Sequence, residues 1–334
     1  MLKEREGYIP FAGYQTYYRV AGECQPGRLP LLVLHGGPGA AHYYLQSLDG
    51  IAEKYGRAVV YYDQISCGRS KTPPMPERWG CSLFLDELAC VRTYLATTFD
   101  WDRLHILGQS WGGMLGMMYA IGEPWHEHGH EGLASMVVAS SPASMDLWLH
   151  EAIRLRHYLP REMDEALAQA DVDGDYTRPE VRAATAEYYR RHVSKVPEDE
   201  RPANLHSPEP DPVGDECYHF MQGMSEFVVT GALSHWSVVD QLPTIDVPTL
   251  VTSGAADGVH AARGQAGGRR HPRRPVGALP RWHALGARRA ARALQRRGRA
   301  LPRGARVAPA APAVPAAFEA PAAAQVAPAT TPSL

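Results

Sequence analysis

Short apolar runs and longer stretches of helical spacing alternate along most of the chain. Residues 8–23 alternate apolar and polar positions, with Tyr8, Tyr14, Tyr17 and Tyr18, and predict an antiparallel hairpin. Pro30–Leu34, Arg57–Tyr62, Leu104–Leu107, Met136–Ala139 and Val247–Gly254 are apolar runs bounded by turn residues, and each predicts a buried strand. Residues 82–99 place Leu83, Leu85, Leu88, Val91, Tyr94 and Leu95 at helical spacing, and Met114–Ala120 opens a buried helix. Alternating strands and helices argue for an α/β protein with a mostly parallel sheet. From Pro142 to about Leu242 the pattern changes. Helical stretches (Leu147–Tyr158, Glu162–Gln169, Glu180–His192) are joined by Pro- and acid-rich connectors such as Ser207–Asp215. The expected division is therefore a sheet core over 1–141, an inserted helical cap over 142–242, a returning core strand over 243–257, and a tail over 258–334.

Composition adds bounds. The 334 residues are 45% hydrophobic and 21% charged, as in a soluble globular protein. No apolar run approaches the roughly eighteen residues a membrane span needs. The charged start, Met1–Glu6, has no apolar signal core. Five cysteines (Cys24, Cys67, Cys81, Cys90, Cys217) show no metal-ligand spacing and read as reduced thiols of a cytoplasmic protein. His126, His128 and His130 alternate without a Cys or carboxylate pattern beside them, so no metal is expected. The net charge of −2 hides an asymmetry: residues 258–334 hold fourteen of the 34 basic residues and one of the 36 acids, leaving a body near −15 and a tail near +13.

The chemistry gathers at Gly108-Gln109-Ser110-Trp111-Gly112-Gly113, a G-x-S-x-G sequence between an apolar strand and an apolar helix. That context reads as a nucleophile elbow, with Ser110 lifted clear of the sheet on a sharp turn. His35-Gly36-Gly37-Pro38-Gly39 is a glycine-rich loop at the end of a strand, suited to presenting backbone N–H groups to an oxyanion. In the α/β-hydrolase scheme one donor comes from such a loop, here Gly37, and the other from the residue after the nucleophile, here Trp111. The acid of a Ser, Asp, His triad is expected at the end of a later strand, where Asp257 stands.

These residues resemble the proline iminopeptidase (prolyl aminopeptidase) family of α/β-hydrolases and its L-amino-acid amidase relatives, from about residue 8 to Asp257. The shared markers are His35–Gly39, Asp63-Gln64 with Cys67-Gly68-Arg69-Ser70, Gly108–Gly113, and Gly223–Phe227 with Thr230-Gly231. One departure is Ser66, where the family usually has Gly. The resemblance implies Ser110 as nucleophile, Asp257 as triad acid and Glu226 as the carboxylate that binds the substrate's free α-amino group. It implies a serine peptidase that needs no cofactor, acting on small peptides or amino-acid amides, with no membrane or nucleic-acid partner. An amino-acid amidase or esterase on the same scaffold is the nearest alternative. An inactive hydrolase-like protein with a nucleic-acid-binding tail is a different class, which an acidic body disfavours.

The triad also needs a histidine, which the resemblance places about a helix and a strand after Asp257. There the chain is rich in Arg, Ala, Gly and Pro. His260, His271 and His283 are its candidates, and His283 lies nearest the expected separation. Read as printed, such a tail is a low-complexity, disordered extension. A reading-frame slip in a G+C-rich gene explains it better. Reading one base later, codons for Leu294–Arg303 can give FNAVVERFLA, those for Arg269–Leu279 can give AAIPGARW, and those for Arg281–Ala284 can give D-G-T-H. The same shift permits a glutamate directly after Asp257. Sequencing the gene across the Asp257 codon checks this. A one-base correction that restores a Glu after Asp257 and a His near position 284 is the expected result, and an intact frame there refutes the slip.

Overall fold

The computed structural model describes residues 2–254 apart from 128–129, 197–199, 201 and 226. The hairpin forms from β1 (Glu4–Phe11) and β2 (Tyr14–Ala21). It begins earlier than the alternation suggested. β2, paired with β1 and β4 (Val59–Tyr62), is buried over most of its length rather than on alternate residues, because both of its faces are covered: Tyr18 and Val20 join one apolar cluster and Ala21 another. With β3 (Leu31–Leu34), β5 (Leu104–Gln109), β6 (Leu133–Ala139) and β7 (Thr249–Thr252) they make one seven-stranded sheet, in the order β1-β2-β4-β3-β5-β6-β7. β1, β2 and β4 pair antiparallel; every pairing from β4 to β7 is parallel.

The central strands are apolar on both faces because both faces are covered. Leu32, Leu34, Val60, Tyr62, Ile106 and Val138 join one core with α2 (Cys81–Phe99) and α3 (Trp111–Ile121). Leu31, Val33, Val59, Tyr61, Leu107 and Val137 join a second, with α1 (Asp49–Tyr55) and the 3-10 turn before it. Between β6 and β7 the chain forms α4 (Met145–Arg156), α5 (Arg161–Asp173), α6 (Pro179–His192) and α7 (Pro212–Met221). Helices α4 to α6 share an apolar cluster of their own, with Leu155, Leu167, Val181, Tyr188 and Phe227. α7 corrects the reading of Ser207–Asp215 as a connector alone: Pro212 sits in its first turn, where a missing N–H costs nothing.

One acid inside this frame is not surrounded by charge. Glu87 on α2 is fully buried. Its Oε1 takes the Thr16 hydroxyl of β2 at 2.5 Å and its Oε2 takes the Ile65 N–H at 2.9 Å. Burial drives its carboxyl up to about 8, against the pull of those two hydrogen bonds. The fold therefore binds a proton here that the unfolded chain, titrating near 4.5, releases earlier. This contribution to stability is complete below the unfolded value and is lost as pH rises through the folded one. Glu87→Gln keeps a donor for Thr16 and an acceptor for Ile65 without the ionisation. The variant is expected to melt with the parent at pH 5 and above it at pH 9. Coincident melting at pH 9 would mean that Glu87 carries its charge in the fold at no cost.

Candidate active site

Ser110 joins β5 to α3 with φ 54° and ψ −124°, a backbone conformation a non-glycine residue holds only under strain. Its surroundings impose it. The Ser110 N–H donates to the Ala139 carbonyl of β6 at 3.0 Å, while the Ser110 carbonyl already accepts from Gly113 at 2.9 Å as the first bond of α3. Side chains would block the turn: a Cβ on Gly108 would stand 2.1 Å from the Gly112 carbonyl oxygen, and one on Gly112 would stand 2.2 Å from that of Leu34. The helix thus starts directly against the end of β3, and Ser110 emerges half-buried at the carboxyl edge of the parallel strands.

The glycine loop meets the elbow at the same place. A Cβ on Gly36 would lie 3.2 Å from that of Ser110, and Gly37 has φ 109°. Two side-chain networks fix this loop. On one side Tyr44 accepts the Gly36 N–H at 2.7 Å and donates to Gln109 Oε1 at 2.5 Å. On the other, Gln64 Nε2 donates to the His35 carbonyl at 3.0 Å and Gln64 Oε1 accepts the Trp111 indole N–H at 2.8 Å. The Trp111 backbone N–H is the first of α3 and has no carbonyl partner within the helix. Among the described residues the Gly37 N–H has no partner either. The glycine loop and the elbow meet at Ser110, and each thus carries an uncommitted backbone donor, the kind of group able to receive a developing negative charge.

Two buried histidines stand nearby and both are committed. His35 Nδ1 meets the Gly36 carbonyl at 2.8 Å and its Nε2 accepts the Gln64 N–H at 2.9 Å, which fixes one neutral tautomer. Burial lowers its pKa, outweighing the Asp63 charge. His42 Nδ1 faces Asp63 Oδ1 at 2.7 Å and its Nε2 meets the Gln46 amide at 3.1 Å. Burial pushes the Asp63 carboxyl up, but His42 and the Arg69 N–H outweigh it and hold Asp63 below the usual range.

α7 closes on this loop system. A Cβ on Gly39 would meet the Gly214 carbonyl oxygen at 2.2 Å, and Asp211 accepts the Gly68 N–H. Cys67 and Cys217 are both buried at that contact; the Cys217 thiol, with burial, pushes the Cys67 thiol well up. All five cysteines are free thiols. Further along, Ser225 and Phe227 line a cavity of about 320 Å³ with Leu167, Tyr176 and Met224. A second cavity, at the β1–β2 edge, is lined by charges already paired with one another: Arg19 with Glu4 and Asp49, Arg69 with Glu6.

Of the residues singled out in the sequence, Ser110, Gly37 and Trp111 come together. Glu226, Asp257 and His283 lie outside the described residues. β7 ends level with the elbow and one strand away from it, since Gln109 pairs with Ala139 and Ala139 with Thr252 across β5, β6 and β7.

Residues 30–266 match the family of the alpha/beta hydrolase fold. The chain is 40% identical over 256 residues to a proline iminopeptidase of Clostridium botulinum, covering 77% of this chain and 83% of the relative. It is 39% identical over 257 residues to one of Lacticaseibacillus rhamnosus, with the same coverage. The chain belongs to the proline iminopeptidase family of α/β-hydrolases. The structure of a proline iminopeptidase from Mycobacterium smegmatis superposes with a TM-score of 0.75 at 35% identity, covering 88% of this chain and 99% of that one. VinJ superposes with the same score at 33% identity. Among the described residues no helix is long and apolar enough to cross a membrane.

Tyr44 and Gln109 went unnoticed in the sequence, because their role depends on meeting across the fold. Ser66, the departure from the family's glycine, has φ 69° and carries the cost a glycine would avoid. In return its hydroxyl accepts the buried Trp79 indole N–H at 3.0 Å and meets the Thr72 hydroxyl at 2.8 Å. Ser66→Ala keeps the strain and loses both bonds, whereas Ser66→Gly loses the bonds and the strain. Ser66→Ala is therefore expected to be the less stable variant by about 1 kcal/mol in denaturant unfolding, a reversal of the usual preference for Ala over Gly. The opposite order would mean that the backbone strain at 66 is negligible.

Proposed function

We propose that the protein is a serine aminopeptidase that releases an N-terminal residue, preferably proline, from small peptides. The observation that carries this is the strained Ser110 turn, which meets the glycine loop at Gly36, in a chain of the proline iminopeptidase family. Ser110 Oγ attacks the carbonyl carbon of the N-terminal residue and gives its proton to a histidine oriented by Asp257. His283 is the residue the tail offers for this base. The negative charge on the carbonyl oxygen is received by the two N–H groups. The imidazolium then protonates the leaving amine as the C–N bond breaks. Water, deprotonated by the same histidine, hydrolyses the resulting ester on Ser110. Glu226 holds the substrate's ammonium by a charge-assisted hydrogen bond, which makes a free N-terminus a requirement. The helices of 142–242 serve as the cap that carries this carboxylate.

Turnover of Pro-, Ala- and Leu-amides beside the matching esters and N-blocked analogues tests the assignment. Proline amide is expected to be the best free-amine substrate and N-blocked proline amide to be inert. Ser110→Ala should lose roughly three orders of magnitude or more in kcat with little change in melting temperature. Indifference to N-blocking would refute the peptidase reading and leave an amidase or esterase.

A further inference from the structure

Helix α7 packs against the sheet core: Cys217 and Met221 join the cluster shared by α2 and α3, whereas α4 to α6 have a cluster of their own. It carries a buried glycine, Gly214, within its length, although glycine is among the poorest helix formers. The contact it makes accounts for it. A Cβ on Gly214 would stand 2.4 Å from the Gly39 carbonyl oxygen, and one on Gly39 would stand 2.2 Å from the Gly214 carbonyl oxygen. Helix and glycine loop therefore meet backbone to backbone, and neither side leaves room for a side chain.

Asp211 adds a second contact. It stands just before α7, where an aspartate ordinarily accepts an N–H of its own helix. Its side chain makes no such bond. It accepts instead the Gly68 N–H and, at 3.3 Å, the Lys71 ammonium, both from the loop after β4. Gly68 is wedged against the glycine loop: a Cβ there would meet Asp63 Oδ2 at 2.4 Å and the Ala41 Cβ at 2.7 Å. Asp63 in turn accepts the His42 N–H at 2.9 Å. α7 thus reaches the glycine loop directly at Gly39, and through Gly68 and Asp63 at Ala41 and His42. Helix stability calls for neither feature, since alanine at 214 and a carboxylate turned to its own N-terminus would both serve α7 better.

We propose that Gly214 and Asp211 are positioning residues for the reaction at Ser110: the docking of α7 sets the conformation of the glycine loop from Gly36 to Ala41. The inference rests on the role given to that loop above. The inserted segment is then part of the geometry of the site rather than only a cover over it, and the loop holds its shape only while α7 is seated.

The test reads hydrogen exchange by mass spectrometry in the full-length protein, so that it needs no turnover. The reporter is the peptide that carries the Gly36 N–H, which Tyr44 holds at 2.7 Å, and the β1–β2 hairpin is the reference. Gly214→Ala sets a methyl group against the Gly39 carbonyl oxygen and, at 2.9 Å, against Asp211 Oδ2. It is expected to speed exchange at Gly36 about tenfold while the hairpin keeps the parental rate. A role confined to the helix predicts no acceleration, since alanine favours α7. Asp211→Asn should move Gly36 the same way by a smaller factor. Glu216→Ala, at an exposed position of the same helix, should leave it at the parental rate. With proline amide as substrate, Gly214→Ala should lower kcat about tenfold and leave KM unchanged. Parental exchange at Gly36 in Gly214→Ala would overturn the positioning role. Equal acceleration in Glu216→Ala, or in the hairpin, would overturn it as well, because it would mark a general loss of stability. Faster exchange at Gly36 with parental kcat would remove the glycine loop from the chemistry, and the proposal with it. Should Gly214→Ala not fold, Asp211→Asn decides by the same readings.

Discussion

The site depends on how closely two backbones can approach. Gly112 lies against the last carbonyls of β3, and Gly108 lies against Gly112, at distances no side chain permits. That contact seats the first turn of α3 over the sheet edge and leaves Ser110 at φ 54°. A non-glycine residue there costs about 1–2 kcal/mol. The cost is carried by α3, whose residues from Trp111 to Ala120 are all buried. The same contact sets the glycine loop, because β3 runs directly into His35 and Gly36. The Ser110 turn and the glycine loop are therefore placed by one packing event, and a shift of α3 would displace both.

Charge around the loop after β4 is handled in two different ways. Asp63 and Glu87 are both buried there, and the Asp63 charge adds to the cost of ionising Glu87. Asp63 stays ionised because a His42 ring nitrogen and two backbone N–H groups, of His42 and Arg69, converge on it. Glu87 has one hydroxyl and one N–H and is pushed towards its neutral form. Two carboxylates in one low-dielectric region are tolerated when only one carries charge. The segment between them carries Gln64, whose side chain bridges the glycine loop and Trp111, so the protonation pattern and the donor geometry share a support.

Much of this was legible in the sequence because its signals are local. The strands after the hairpin read as apolar runs with turn residues at their ends, and the elbow reads from glycines and serine at fixed spacing. What escaped depends on distance. Tyr44 meets Gln109 and Trp111 meets Gln64 across large separations in the chain, and nothing near any of them announces the pairing. α7 escaped for another reason: acids and prolines around Pro212 resemble a connector, although a proline in the first turn is also a helix start. The Asp171–Arg156 ion pair escaped too, since each residue alone looks like a charged position on an amphipathic helix.

The histidines near Ser110 constrain where a general base can come from. A base must present an unprotonated ring nitrogen to the serine hydroxyl. His35 has its acceptor nitrogen occupied by the Gln64 N–H, and its neutral state is fixed by burial. His42 directs one nitrogen at Asp63 and the other at Gln46. Either ring could reach Ser110 only by releasing groups that shape the oxyanion loop, so using it as a base would disassemble the donors the reaction needs. The Ser110 N–H is bonded to β6 and the Ser140 N–H to the end of β7. The chain leaving β7 is therefore one strand removed from the elbow on the edge where Ser110 emerges. An acid placed just after that strand can orient an imidazole towards Ser110 without crossing the sheet. On the mechanism proposed above, the base would have to come from the part of the chain that follows β7.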